Sequence, residues 1–129
     1  FLKIDAEGYD KFVLEGLDWN KFLPKVILCE FENKKTIKLN YTTDDLIKFF
    51  FDKNYHIIVS EWFPIINYGN AHKWKCFRYN NFQKVDKNSW GNIIAIQDQN
   101  FLNIFTKLAK TYEYFWSLNL YHFYRKHKF

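Results

Sequence analysis

The chain has 129 residues, 48% of them hydrophobic and 22% aromatic (15 Phe, 9 Tyr, 5 Trp), which suits one core built on large flat side chains and leaves little for a second domain. Its formal net charge of +5 is an ordinary solubility setting, and the excess is scattered among acids apart from Arg125, Lys126 and Lys128, a weak footprint for nucleic acid or an anionic membrane. Two isolated cysteines, Cys29 and Cys76, exclude a disulfide framework, and no apolar run approaches the roughly 18 residues of a membrane span; a soluble, cytoplasmic chain is expected.

The chain contains no methionine and enters an apolar strand at Phe1 without a cap or polar lead-in, so a start in the middle of a fold is expected. Phe1 to Asp5 reads as a short buried strand, Ala6-Glu7-Gly8 as a turn, and Tyr9, Phe12, Val13, Gly16 and Leu17 as the spacing of a helix, with Glu7 and Asp10 near its N-terminus. Lys25 to Phe31 is a continuous apolar run ending in Glu30 and Glu32, the pattern of a strand covered on both faces in a parallel sheet, which makes a βαβ unit.

Tyr41 to Asp45 offers a hydroxyl cap and first-turn acids for a second helix, whose stripe is Leu46, Ile47, Phe50 and Phe51 and which ends near Lys53-Asn54. His56 to Val59 and Asn92 to Ile96 predict two more strands. The long segment between them, Asn67 to Gly91, carries Trp74, Phe77, Tyr79, Phe82 and Trp90 and reads as an ordered insertion at the mouth of a site. From Asn100 onward Phe101, Phe105, Leu108, Tyr112, Phe115 and Phe123 mark a terminal helix whose stripe is a docking face, against this domain or a partner, in preference to a ligand box.

Leu2-Lys3-Ile4-Asp5-Ala6-Glu7-Gly8 resembles the KIDxEG signature of FkbM-type S-adenosylmethionine-dependent methyltransferases. Val13 to Gly16 is similar to that family's following helix, Val26 to Glu32 to its next strand and Trp90 to Ala95 to its last, so the resemblance runs to about Asp98. It implies an α/β fold, the C-terminal half of a Rossmann-like class I methyltransferase sheet, here strands four to seven with the last antiparallel. Residues 1–98 would then be a partial methyltransferase domain, and 99–129 a separate aromatic and basic C-terminal helix.

The glycine-rich turn that holds the nucleoside in this fold has no counterpart, because Gly8, Gly16, Gly69 and Gly91 are too far apart. Most of the S-adenosylmethionine site is therefore expected in an N-terminal half, and this chain alone is expected to be inactive.

In open α/β sheets ligands sit beyond the carboxyl ends of the strands, which singles out Asp5 and Glu7 after the first strand and Glu30 and Glu32 at the end of the second. Methyl transfer to a hydroxyl needs the acceptor oxygen oriented and its proton removed, and a carboxylate does both. The resemblance places Asp5 nearest the transferring methyl, as catalytic and cofactor-facing residue, with Glu7 second. Against this stand an Asp5 ion pair with Lys3 and a Glu7 that only complements a helix N-terminus. Glu30, Glu32, Glu61 and Trp62 are candidate acceptor-binding residues, with a solvated strand end or core packing as the alternative; Trp74 and His72 lie beside them without metal-binding spacing.

No Gly-x-Ser-x-Gly elbow, Cys-x-x-Cys pair or phosphate loop occurs. The expected function is O-methylation of a hydroxyl on a sugar or glycan-like acceptor. The competing reading is a non-catalytic module that binds a protein or nucleic acid through the tail Tyr121-His122-Phe123-Tyr124-Arg125-Lys126. Without a neighbour the first strand is an exposed apolar edge, so self-association through it is also expected.

Overall fold

In a computed structural model, which describes residues 1–67, 69, 71–79 and 82–126, five strands form one mixed sheet in the order β1-β2-β5-β3-β4. The elements are β1 (Leu2–Ile4), α1 (Asp10–Glu15), β2 (Val26–Glu32), α2 (Asn33–Thr36), α3 (Thr43–Asp52), β3 (His56–Trp62), β4 (Trp74–Arg78), β5 (Trp90–Ile96) and α4 (Gln99–Lys126). A mixed α/β architecture with a long C-terminal helix is thus present, and the side chains of the tail Tyr121 to Lys126 lie outside the described residues.

β1 and β2 are parallel, with Ile4 opposite Cys29, so β1-α1-β2 is the expected βαβ unit. β5 runs antiparallel to both β2 and β3, which makes β1, β2 and β3 co-directional and brings their carboxyl ends to one edge of the sheet. The last strand β5 is therefore reversed, as is the edge strand β4, which pairs antiparallel with β3.

Alternation decides what each face does. Ile27, Cys29 and Phe31 of β2, Ile57 and Val59 of β3, and Ile93 and Ala95 of β5 join Leu14 of α1 and Leu46 and Phe50 of α3 in one buried core. The next residues along, Ile58 and Ile96, face the other way and are buried, as are Trp74 of β4 and Ala109 of α4, the helix that packs on β3, β4 and β5. β2 differs from its expected pattern: Leu28 and Glu30 are only half-buried, so one face is sealed and the other partly open.

α3 begins on a reciprocal cap in which Thr42 N–H and its hydroxyl both donate to Asp45, at 2.8 and 2.9 Å, and it ends at Asn54, whose left-handed φ of 61° stops the helix. α2 and β4 have no counterpart in the sequence-based elements. β4 lies inside the segment read as an insertion, pairing with Val59 to Trp62 of β3, and Trp74 within it is 5% exposed. Tyr68, Asn70, Asn80 and Asn81 of that segment lie outside the described residues.

α4 is fastened by polar contacts as well as by packing. Asp98 accepts the Asn100 and Phe101 N–H groups at 2.8 and 3.0 Å, and Glu113 accepts the Phe77 N–H at 3.0 Å and the Tyr79 hydroxyl at 3.1 Å. Glu113 therefore satisfies a donor on the outer strand β4. β1, at the opposite edge, carries Phe1 at 81% exposure beside it.

Among the described residues no helix is long and apolar enough to cross a membrane, and the cysteines Cys29 and Cys76 are free. Burial pushes the Cys29 thiol far above its ordinary range, which suits an inert core thiol.

Candidate active site

The turn after β1 is shaped by two left-handed residues, Glu7 at φ 52° and Gly8 at φ 96°. A side-chain carbon on Gly8 would come to 3.1 Å from the Lys35 Cβ, so both backbone conformation and space restrict this position to glycine. Two buried groups pin the turn from outside it. Asp10, 1% exposed, accepts the Ala6 and Gly8 N–H groups, each at 3.2 Å, and the Tyr41 hydroxyl donates to the Gly8 carbonyl. Sequence reading gave Asp10 only a place near a helix end; its sequence signal is an acid two residues past a glycine, the spacing of a turn that folds back on its own N–H groups.

Removing the Asp10 carboxylate leaves two turn donors without acceptors, so Asp10→Ala is expected to cost about 1–3 kcal/mol of stability, read as a lower urea midpoint. Asp10→Asn, which retains one acceptor oxygen, should recover part of it. An unchanged midpoint in the alanine variant would remove this role.

The pinned turn delivers its acids to the carboxyl edge. Lys35 on α2 gathers them: its Nζ lies 2.6 Å from Glu7, 2.8 Å from Glu32 and 3.8 Å from Glu30. Burial pulls the Lys35 ammonium towards neutrality, but the Glu32 and Glu7 carboxylates outweigh it and hold its pKa above the usual lysine range. Asp5 follows the Ile4–Cys29 pair, so it stands level with Glu30, and it is also held by Lys3 at 2.8 Å.

Glu30 is the electrostatically unusual member. Burial pushes its carboxyl up to about 7; the Lys35 charge opposes that, and the negative charges of Asp5, Asp10 and Glu7 add to it. A carboxyl held near neutrality takes up or releases a proton at working pH, which suits an acid–base group.

The strand registers continue this edge sideways. Glu32 pairs with Trp90 and Trp90 with Trp62, while Glu30 pairs with Asn92 and Asn92 with Ser60, so two cross-strand rows occupy one face. The Trp62 and Trp90 rings lie 5.5 Å apart with planes at 35°, and His72 meets the Trp90 ring edge-on at 5.1 Å. Both indoles are half-buried, each leaving part of a flat apolar surface to solvent.

Glu61 is adjacent to Trp62 in sequence and therefore faces the opposite way. It is fully buried and saturated with donors: Lys75 at 2.7 Å, Ser89 at 2.9 Å and the Asp86 N–H at 3.1 Å meet one oxygen, and Arg78 Nε meets the other. The structure thus unites Asp5, Glu7, Glu30 and Glu32 with Trp62 nearby and keeps Glu61 in a separate ion cluster. Lys35, the hub that sequence reading missed, has a helical i,i+3 signal only to Glu32.

A cavity of about 1030 Å³ opens elsewhere, between α3, α4 and the amino end of β3 at His56, and none of these acids lines it. No group of three or more His, Cys, Asp or Glu among the described residues has an arrangement that could hold a metal ion.

Residues 1–57 match the model of the methyltransferase FkbM domain, the family that the Lys3 to Gly8 motif resembles. The match takes in Asp5, Glu7, Glu30, Glu32 and Lys35 and ends within β3, before Glu61 and Trp62, whereas the sequence resemblance was followed to about Asp98. Searches of curated proteins and of solved structures return no match.

Proposed function

We propose, from the match of residues 1–57 to the methyltransferase FkbM domain and the acids gathered at one sheet edge, that this chain is part of an O-methyltransferase that modifies a sugar-like hydroxyl. The observation that carries this reading is the convergence of Glu7, Glu30 and Glu32 on Lys35 beside Asp5, at the carboxyl end of the parallel β1–β2 pair. The order β1-β2-β5-β3 with its last strand reversed supports reading these elements as strands four, five, seven and six of a Rossmann-like sheet, with β4 an addition at the edge. Residues 1–98 are then the partial methyltransferase domain and 99–129 an appended helix.

The residues present fit one end of S-adenosylmethionine. Asp5, Glu7, Glu30 and Glu32 outnumber Lys3 and Lys35 at this edge, which favours the cationic sulfonium and amino groups, whereas no glycine-rich turn is available for the nucleoside. When bound, the cofactor supplies an electrophilic methyl group.

In this reading Asp5 would orient the acceptor hydroxyl towards that methyl, and Glu30, with its carboxyl pushed up to about 7, would receive the hydroxyl proton as the carbon–oxygen bond forms and the methyl's bond to sulfur breaks. Glu7 and Glu32, held by Lys35, fix the shape of the edge. The Trp62–Trp90 pair offers a flat apolar surface of the kind that covers a sugar face, on the same side of the sheet as Glu30.

The test is methyl transfer from S-adenosylmethionine to a panel of glycosides by the full-length gene product. Asp5→Asn and Glu30→Gln are each expected to lower kcat about a hundredfold. The wild-type rate should rise through about pH 7 as Glu30 loses its proton, and Glu30→Gln should lack that limb. Undiminished transfer in Asp5→Asn would remove the assignment, and no transfer to any glycoside would remove the acceptor class.

A further inference from the structure

α3 and α4 pack on opposite faces of the sheet. Leu46 and Phe50 of α3 share one core with Ile57, whereas Trp74, paired with Trp62 on the face of Ile58, meets Tyr112 and Trp116 of α4 edge-on. β4 ends at Arg78 opposite Val59, short of the first residues of β3. Beyond that end the two helices wall the cavity of about 1030 Å³, with Ile57 and Ile58 at its back, which is room for a drug-sized molecule.

The lining is amphipathic. Phe51, Tyr79 and Phe82 bring aromatic rings to it, and the Phe51 and Phe82 rings stand 5.8 Å apart with planes at 55°. Lys48 stands on the α3 wall and Lys110 on the α4 wall, against a single acid, Asp44. Among the described residues none of these charged groups makes an ion pair, so the excess positive charge is not neutralised within the chain. Lys110 is also held in place: its Nζ lies 5.8 Å from the centre of the Tyr79 ring, whose hydroxyl donates to Glu113 at 3.1 Å. The Glu113 carboxylate is itself occupied by that hydroxyl and by the Phe77 N–H.

We propose that this cavity binds a small amphipathic anion, an aromatic body carrying one carboxylate or phosphate group. The rings of the lining suit the body by edge-on or offset contact, and the lysines, one from each helix, supply charge-assisted hydrogen bonds to the anionic group. A cationic ligand would meet two lysines against one acid, and a neutral one would cover both lysines without pairing either.

The cavity is separate from the acid edge. It opens at the amino end of β3, whereas the acids stand at the carboxyl ends of β1 and β2. Ile58, Tyr79, Phe82, Thr106 and Lys110 lie beyond the residues 1–57 that match the methyltransferase FkbM domain, so much of this site is built by the rest of the chain. The site therefore stands or falls independently of the methyl-transfer reading.

Calorimetric titration of the full-length gene product with naphthoate, naphthyl phosphate and the neutral naphthylmethanol tests it. At least one anion should bind saturably and about tenfold or more tighter than the alcohol, and the tighter of the two tells carboxylate from phosphate. Lys48→Gln combined with Lys110→Gln should bring the anion down to the affinity of the alcohol, whereas Lys21→Gln, at a lysine that also rests on an aromatic ring but lies outside the lining, should change nothing. Thr106→Trp, at a half-buried lining position, should fill the cavity and remove binding of all three probes while the far-ultraviolet circular dichroism stays that of the wild type. No saturable binding, an anion no tighter than the alcohol, or an anion affinity that survives the double lysine variant overturns the proposal. Binding that survives Thr106→Trp overturns the cavity as its site.

Discussion

Glu61→Ala is expected to lower stability by about 3–5 kcal/mol, the range for removing one partner of a buried ion pair, leaving Arg78 without its carboxylate and Lys75 with only the more distant Asp86 at 3.4 Å. Three further donors, the Ser89 hydroxyl, the Asp86 N–H and the Cys76 thiol, lose their acceptor at the same time.

The same carboxylate gives the protein a pH signature. Burial alone would raise its pKa, but hydrogen bonds from Lys75, Arg78, the Asp86 N–H and Ser89 outweigh that and hold it at about 2, against 4.5 for an ordinary glutamate. A depressed carboxyl stabilises the fold fully above its unfolded value and progressively less as pH falls through the folded one. Wild-type stability should therefore decline between about pH 4.5 and pH 2, and Glu61→Gln should flatten that limb. Urea unfolding at stepped pH measures both; equal midpoints for wild type and Glu61→Ala at pH 7 would show that the cluster contributes nothing.

Gly91→Ala is the second large effect, expected at about 3 kcal/mol or as loss of soluble protein. β5 approaches β3 so closely at Gly91 that a side-chain carbon would collide with the Ser60 carbonyl oxygen, with the Phe31 ring only 3.1 Å away on the other side. The obstacle in front is backbone, which cannot rotate aside. Gly16→Ala is the control: its nearest neighbour would be the Phe12 carbonyl at an ordinary 3.5 Å, and it should change stability by less than about 1 kcal/mol. If the two variants unfold at the same denaturant concentration, close strand packing at Gly91 is not what the position requires.

Local patterns were legible wherever one short window contained both cause and effect. The βαβ unit, the helix capped at Thr42 and ended at Asn54, and the strand His56 to Val59 all follow from periodicity and capping within a few residues. The acid edge was legible too, because two acid-tipped apolar runs joined as a parallel pair place their ends together.

Partnerships across the chain were not legible. Lys35 reaches Glu7 over 28 residues, and Tyr41 reaches the Gly8 carbonyl over 33. Glu61 reads in sequence as a strand-end acid, and only the fold brings Lys75, Arg78 and Ser89 around it. On α4 a single aromatic stripe was read where there are two: Phe105 and Tyr112 belong with the sheet, while Phe101, Leu108 and Phe115 lie on the exposed side. Large apolar side chains at spacings of three and four occur on both, so spacing alone does not separate them.

The position of β5 between β2 and β3 orders how the sheet can be assembled. β1 and β2 are joined by a local crossover and β3 and β4 pair as neighbours, but the two halves share no hydrogen-bonded edge until Trp90 to Ile96 lies between them. During synthesis the middle of this sheet is the part made last. The apolar edges of β2 and β3 stay open until the chain beyond residue 96 has emerged, so the interval most exposed to misassembly falls late in translation, and it lengthens whenever elongation pauses before β5.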